Sequence, residues 1–207
     1  MRVMISGCSG GGKSTLLSEL ARRGYAVVAE PGRRIIAEAR AGDGNTLPWV
    51  DPAAFARRAL EMSMADFEAA RGLTFFDRGI VDAAVAMVAT GGDHPTSMIE
   101  RLRYDRLFLA PPWPEIYVND DDRRHSLEKA LQDYARVRKA YLDARYVPMM
   151  LPRDTVAARA DFVLRALEAS RMQAMAAKAG PRQLCLHDHR GRLSRARINI
   201  GPMTRSS

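Results

Sequence analysis

Two rhythms of apolar spacing alternate along the chain. Residues 2–6, RVMIS, form a short apolar run that reads as a buried strand. After a run of glycines, KSTLLSELARRG repeats its apolar positions at helical spacing and stops at Gly24. YAVVAE then reads as a second short strand closed by Pro31. DPAAFARRALEMSMADFEAARG reads as a helix, with Asp51 as N-cap, Pro52 in the first helical position and Gly72 at the end. Its stripe of Phe55, Ala59, Leu60, Met64 and Phe67 falls on one face and predicts contact with a core.

The same alternation continues to residue 167. LTFFDRG is an unbroken apolar run ending in Asp77, as expected of a central strand buried on both faces. IVDAAVAMVATGG reads as a helix ending in glycines, and DHPTS as a loop. RLFLAP and EIYVND flank a proline-rich turn, and LEKALQDYARVRKAYLDAR is a long helix. YVPMMLP reads as a last strand and DTVAARADFVLRAL as a last helix. Strands alternating with helices of this length predict an α/β fold: a mostly parallel central sheet in a three-layer α/β/α sandwich.

Length and charge refine this picture. A chain of 207 residues suits one sizeable α/β domain, assigned here to residues 1–170. The net charge of +8 is concentrated after it. Residues 171–207 carry eight Lys and Arg against the single Asp188, which leaves the body near +1. Beyond Ala179 this basic tail loses regular apolar period and mixes Gly, Pro, Ser and Arg, so it is expected to be weakly ordered. A solvated terminus is favoured there over a nucleic-acid-binding arm.

Cys8 and Cys185 form no CxxC pattern, and Cys185 with His187 and His189 lacks a fourth metal ligand. The first residues show neither a charged n-region nor a long apolar core, and no run approaches membrane-spanning length. A cytoplasmic protein without a membrane partner is expected.

The candidate chemistry starts at the glycines. Gly7-Cys8-Ser9-Gly10-Gly11-Gly12-Lys13-Ser14 fits G-x-x-x-x-G-K-[ST] and lies between a strand and a helix, where a phosphate-binding loop must lie. Such a loop turns successive backbone N–H groups toward a triphosphate at a helix N-terminus. Gly7, Ser9, Gly10, Gly11, Gly12, Lys13, Ser14 and Thr15 are thus expected to hold ATP, with Lys13 between the β- and γ-phosphates and the Ser14 hydroxyl on Mg²⁺. Cys8 has no neighbouring base in the sequence and is read as a bystander.

Ligands of open α/β sheets bind at the carboxyl ends of the strands. Glu30 ends the second strand and Asp77 the third, so one carboxylate is placed to take a proton from an acceptor hydroxyl and the other to orient Mg²⁺. Glu30 is the candidate base, with a salt bridge to Arg33 or Arg34 as the alternative, and Asp77 is the magnesium residue. Arg33, Arg34 and Arg78 are candidates to bind an anionic substrate or the transferring phosphate.

GCSGGGKST, VVAEPGRR, FFDRG and EIYVNDDDRR together resemble an AAA-type P-loop family that includes the ribosylnicotinamide kinase domain of bacterial NAD-biosynthesis regulators. More distantly the chain is similar to deoxynucleoside and thymidylate kinases. The resemblance covers about residues 1–170. It implies a P-loop NTPase fold, Glu30-Pro31 as the general-base pair and Asp77-Arg78 as the acidic-Arg pair. It also implies a phosphate-covering lid at Asp122-Arg123-Arg124, with Arg123 and Arg124 catalytic, and an adenine loop from Pro152 to Val156. Gly79 departs from the pattern, standing where deoxynucleoside kinases usually have Ser.

The expectation is a kinase acting from ATP on a nucleoside-like or other small hydroxyl acceptor. The rivals are an ATPase or GTPase switch and a nucleic-acid-end kinase that uses the tail. No N-K-x-D guanine reader is present, which favours ATP.

Overall fold

The computed structural model describes residues 1–42, 45–117 and 126–179, with the backbone of two short strands at 186–187 and 193–194. The chain divides into two compact units, Met1–Leu164 and Arg165–Ser207.

Five parallel strands form the sheet of the first unit: β1 (Arg2–Gly7), β2 (Ala26–Val28), β3 (Thr74–Asp77), β4 (Arg106–Ala110) and β5 (Met149–Met150). Their order is β2-β3-β1-β4-β5. β1 is therefore central, and the loop leaving it emerges between β3 and β4, in the crevice where open sheets bind ligands. The register sets Ile5 opposite Asp77 and Gly7 opposite Ala110, which brings the third strand's carboxylate level with the glycine loop.

Every residue of β3 is buried, as are the last four of β4. Helices cover both faces of the sheet in three layers, so these strands show the continuous apolar runs read from the sequence. Phe75 and Phe76 are almost wholly enclosed, each worth about 1.5–3 kcal/mol of burial.

The helices are α1 (Lys13–Arg22), α2 (Pro31–Ala41), α3 (Pro52–Ala69), α4 (Ile80–Ala89), α5 (Thr96–Arg101), α6 (Leu127–Asp143) and α7 (Val156–Ala179). α1 turns Leu16, Leu17 and Leu20 inward. α3 begins as read, with the Asp51 side chain accepting from the Ala54 N–H at 2.8 Å. Its stripe packs Ala59, Leu60 and Phe67 into the core, while Phe55 is only half-buried and faces a cleft. Tyr104 lies at the centre of this core, edge-on to Phe67 at 5.1 Å and to Phe76 at 5.2 Å.

Three local readings are corrected. The second strand stops at Val28, so Glu30 sits in the N-cap position of α2, and Pro31, read as a strand terminator, opens a helix where its missing N–H costs nothing. Pro95 likewise precedes α5 inside the stretch read as a loop. Residues 171–179, counted with the weakly ordered tail, are helical, because RMQAMAAKA is rich in strong helix formers and has no breaker before Gly180. In the second unit, Leu186–His187 and Leu193–Ser194 pair antiparallel, and the rest of the tail lies outside the described residues. No helix among the described residues is long and apolar enough to cross a membrane.

Candidate active site

The glycine loop is anchored at both ends. The Cys8 N–H donates to the Ala110 carbonyl at 3.0 Å, and the Cys8 thiol to the Ala130 carbonyl on α6 at 3.6 Å. Gly12 ends the loop at φ 70°, a left-handed conformation that glycine adopts without strain, and α1 starts at the next residue. Gly7, Ser9, Gly10, Gly12, Lys13, Ser14 and Thr15 line one cleft of about 790 Å³. Thr15 donates its hydroxyl to the Gly12 carbonyl at 2.9 Å.

Lys13 is buried, with Nζ donating to the Cys8 carbonyl at 2.8 Å. Burial, aided by the Arg78 charge, pulls its ammonium down to about 8. Asp77 lies beneath the loop, where its Oδ2 accepts from the Ser14 hydroxyl at 3.3 Å. Its Oδ1 is buried without a hydrogen-bond partner. An orphaned carboxylate oxygen beside a hydroxyl is the hard-oxygen donor set that Mg²⁺ takes, so Ser14 and Asp77 fit the ion and would hold it together with phosphate oxygens.

Burial pushes the Asp77 carboxyl up to about 6; Lys13 opposes this and Glu30 adds to it. Its ordinary value is 3.8, so the folded protein holds more protons than the unfolded chain between about pH 4 and 6. Stability contributed by this group therefore falls as pH rises through that window, and stays low above it. In metal-free buffer, Asp77→Asn is expected to raise the melting temperature at pH 7.5 and leave it nearly unchanged at pH 4.5. A lower melting temperature at pH 7.5 would show that the ionised carboxylate is stabilised where it lies.

Glu30 and Arg78 form the far side of the cleft. Arg78 Nε donates to Glu30 Oε1 at 3.0 Å, and Arg33 Nε lies 3.5 Å from Glu30 Oε2. The salt bridge expected for Glu30 thus runs to Arg33 and Arg78. Arg34 turns away, bonded to Asp66 at 2.6 Å, and does not line the cleft. The Asp66 carboxylate holds the Arg34 guanidinium apart from the residues that line the cleft. Arg78 has an unusual backbone, φ 59°, and is held there by Asp82, whose Oδ1 accepts from Arg78 Nη1 at 3.1 Å. Burial lowers the Arg78 pKa, but Glu30, Asp82 and Asp77 more than offset it, so the net shift is upward.

Asp82 gathers three further donors: the Ser6 hydroxyl at 2.5 Å, the Gly79 N–H at 3.2 Å and the Tyr141 hydroxyl at 2.7 Å. It ties β1, the start of α4 and α6 to the arginine that faces Glu30. Gly79 itself has no room for a side chain, since a Cβ there would run into the Tyr104 hydroxyl and the Met4 methyl. Between the phosphate loop and Glu30, the cleft wall is completed by Ile36, Phe55, Ala59 and Val137, with Lys129, Asp133 and Tyr134 from α6.

Residues 2–159 match the AAA domain family. The chain belongs to that family. No curated protein matches it. Among solved structures, this AAA-domain protein is similar to deoxyadenosine kinase from M. mycoides, with 14% identity, a TM-score of 0.55, and 82% of this chain and 100% of that one covered. It is similar to shikimate kinase from Acinetobacter baumannii in complex with shikimate, at 16% identity and a TM-score of 0.53, covering 82% and 93%. It also matches the NadR protein in complex with NR, at 18% identity and a TM-score of 0.56, covering 81% of this chain and half of that one. These likenesses establish a P-loop kinase-like fold.

Arg123 and Arg124, the lid implied by resemblance, lie outside the described residues of this AAA-domain protein. The Pro152–Val156 loop leads into α7, and Asp154, Thr155 and Val156 line the cleft beside Gly12. Two site residues were missed in the sequence. Asp82 is the lone carboxylate of the apolar segment IVDAAVAMVATGG, and Arg159 interrupts the buried stripe that carries Ala160 and Val163. A charge on an apolar helix face was the signal available in both cases. Among the described residues no cluster of three or more His, Cys, Asp or Glu could hold a metal by itself.

Proposed function

We propose that the protein is a small-molecule kinase that transfers the γ-phosphoryl group of ATP to a hydroxyl of a nucleoside-like acceptor. The observation that carries this reading is the single cleft that runs from the Lys13–Ser14 cradle to the Glu30–Arg33–Arg78 cluster. Beyond the nucleotide itself a hydrolytic switch needs room only for water, whereas the apolar wall of Ile36, Phe55 and Val137 beyond the phosphate loop suits an organic acceptor.

In this reading Glu30 takes the proton of the acceptor hydroxyl as its oxygen bonds to the γ-phosphorus, and the bond from that phosphorus to the β,γ-bridging oxygen breaks, leaving ADP. Arg78 and Arg33 fix the Glu30 carboxylate and place positive charge beside the transferring group. Lys13 offsets charge on the phosphates, and Ser14 and Asp77 would hold Mg²⁺, which shields the phosphate oxygens when bound.

The test is transfer from labelled ATP with Mg²⁺ to a panel of nucleosides, nucleotides and oligonucleotides, with labelled product scored apart from free phosphate. Labelled small-molecule product is expected, and Glu30→Gln should lower its rate by about 10²–10⁴-fold. Free phosphate alone, indifferent to Glu30→Gln, would replace the kinase with a switch.

A further inference from the structure

Arg159 is among the largest fully enclosed side chains of the molecule, and its position is unusual for a charged group. Among the described residues no carboxylate pairs with it. Its Nη2 donates to the Gly11 carbonyl at 2.9 Å and its Nη1 to the Gly12 carbonyl at 3.1 Å. Its Nε is buried without a partner, and its guanidinium carbon lies 5.5 Å from the centre of the Trp113 ring. Burial draws its pKa down. A cation enclosed with two carbonyl dipoles and an aromatic ring but no carboxylate is poorly compensated. Arg159 lines the same cleft as the loop it grips, and the missing counter-charge belongs there.

We propose that Arg159 is a positioning residue for the phosphate cradle: its two-pronged grip on the Gly11 and Gly12 carbonyls aims the Gly12 and Lys13 N–H groups at a bound polyphosphate. In a planar trans peptide the C=O and N–H point in opposite directions. Holding both carbonyls therefore fixes the direction of the two N–H groups that follow, Gly12 and Lys13, at the cleft that Arg159 also lines. Donation to a carbonyl also polarises its peptide unit, which strengthens the opposing N–H as a donor. A Cβ at Gly12 would meet the Arg159 Nη1, so the fork lies directly against the loop backbone. The planar fork spans two acceptors at once; a lysine ammonium has no such geometry.

This inference rests on the nucleotide-binding reading of the cleft, and its test separates the two. Binding of MgADP and of magnesium pyrophosphate is measured by calorimetry for the wild type, Arg159→Met and Arg159→Lys, with melting temperatures of the unliganded proteins alongside. Arg159→Met is expected to weaken both ligands by roughly 10–100-fold, the loss of charge-assisted hydrogen bonds, while the unliganded protein melts no lower than wild type. Arg159→Lys should stay within about threefold of Arg159→Met, because the fork and not the charge alone orients the loop.

Unchanged affinities with a lower melting temperature would make Arg159 a structural strut and overturn the proposal. Full rescue by lysine would overturn the grip, and a loss confined to MgADP would assign the residue to the base. Wild-type protein that binds neither ligand would instead sink the nucleotide reading, and this inference with it.

Discussion

Lys13→Ala is expected to lower phosphoryl transfer by about 10²–10³-fold, the scale seen when one preorganised donor to developing charge is removed, without lowering the melting temperature of the unliganded protein. The two halves of this expectation have one cause. Lys13 is enclosed with Arg78 nearby, so without a nucleotide its ammonium sits at a site that resists charge, and burial pulls its pKa down to about 8. Loss of its hydrogen bond to the Cys8 carbonyl is offset by relief of that penalty when the charge is removed. With phosphates present the same low-polarity surroundings strengthen the attraction. Steady-state kinetics beside a melting curve check both halves. A large drop in melting temperature with proportionate loss of activity would show that the lysine is structural. Nucleotide affinity should also weaken between pH 7 and 9, because the unliganded lysine loses its proton in that range.

Asp82→Ala should be the most destabilising single change near the cleft, at about 3–5 kcal/mol, the usual cost of stranding one partner of a buried ion pair. The carboxylate is only 7% exposed and accepts from Arg78, Ser6, Tyr141 and the Gly79 N–H. Its removal takes their shared acceptor from Ser6, Tyr141 and the Gly79 N–H and one of two carboxylate partners from Arg78, which keeps Glu30, and water has little access to replace it. For a chain of this length the melting temperature should fall by roughly 10 °C. Thermal and urea unfolding measure it, with Asp82→Asn keeping an acceptor and falling between the two. A drop of only one or two degrees would mean that the donors find other partners. Activity should fall further than the folded fraction does, because Arg78 would lose the anchor that holds it at φ 59° against Glu30.

Much of this molecule could be read from its sequence because its signals are local. The glycine loop, the apolar runs of β1 and β3, and the Asp51-Pro52 start of α3 each announce themselves within a few residues. What was missed depends on partners distant in sequence. Pro31 and Pro95 are equally good at ending one element and starting another, and only packing decides which. Glu30 was legible as a carboxylate near the loop, but its pairing with Arg78, 48 residues away, was not. Arg34 looked equivalent to Arg33 in the sequence, yet the roughly 100° between adjacent positions of α2 directs the first to Asp66 and the second to Glu30. Asp82 and Arg159 sit among apolar neighbours, and their use appears only when Tyr141 and the Gly11 carbonyl arrive from elsewhere in the chain.

The close packing at Gly79 bears on which residues the position accepts in place of glycine. The Tyr104 hydroxyl occupies the volume a serine side chain would need, and it lies 3.4 Å from the Ile80 N–H, so the ring and the glycine are fitted to each other. Neither position can drift alone: serine enters only if the ring shrinks, and a smaller ring leaves a void against Phe67 and Phe76 unless something fills it. Gly79 and Tyr104 are thus a coupled pair of positions, in which either residue can be replaced without strain or a void only if the other is replaced with it.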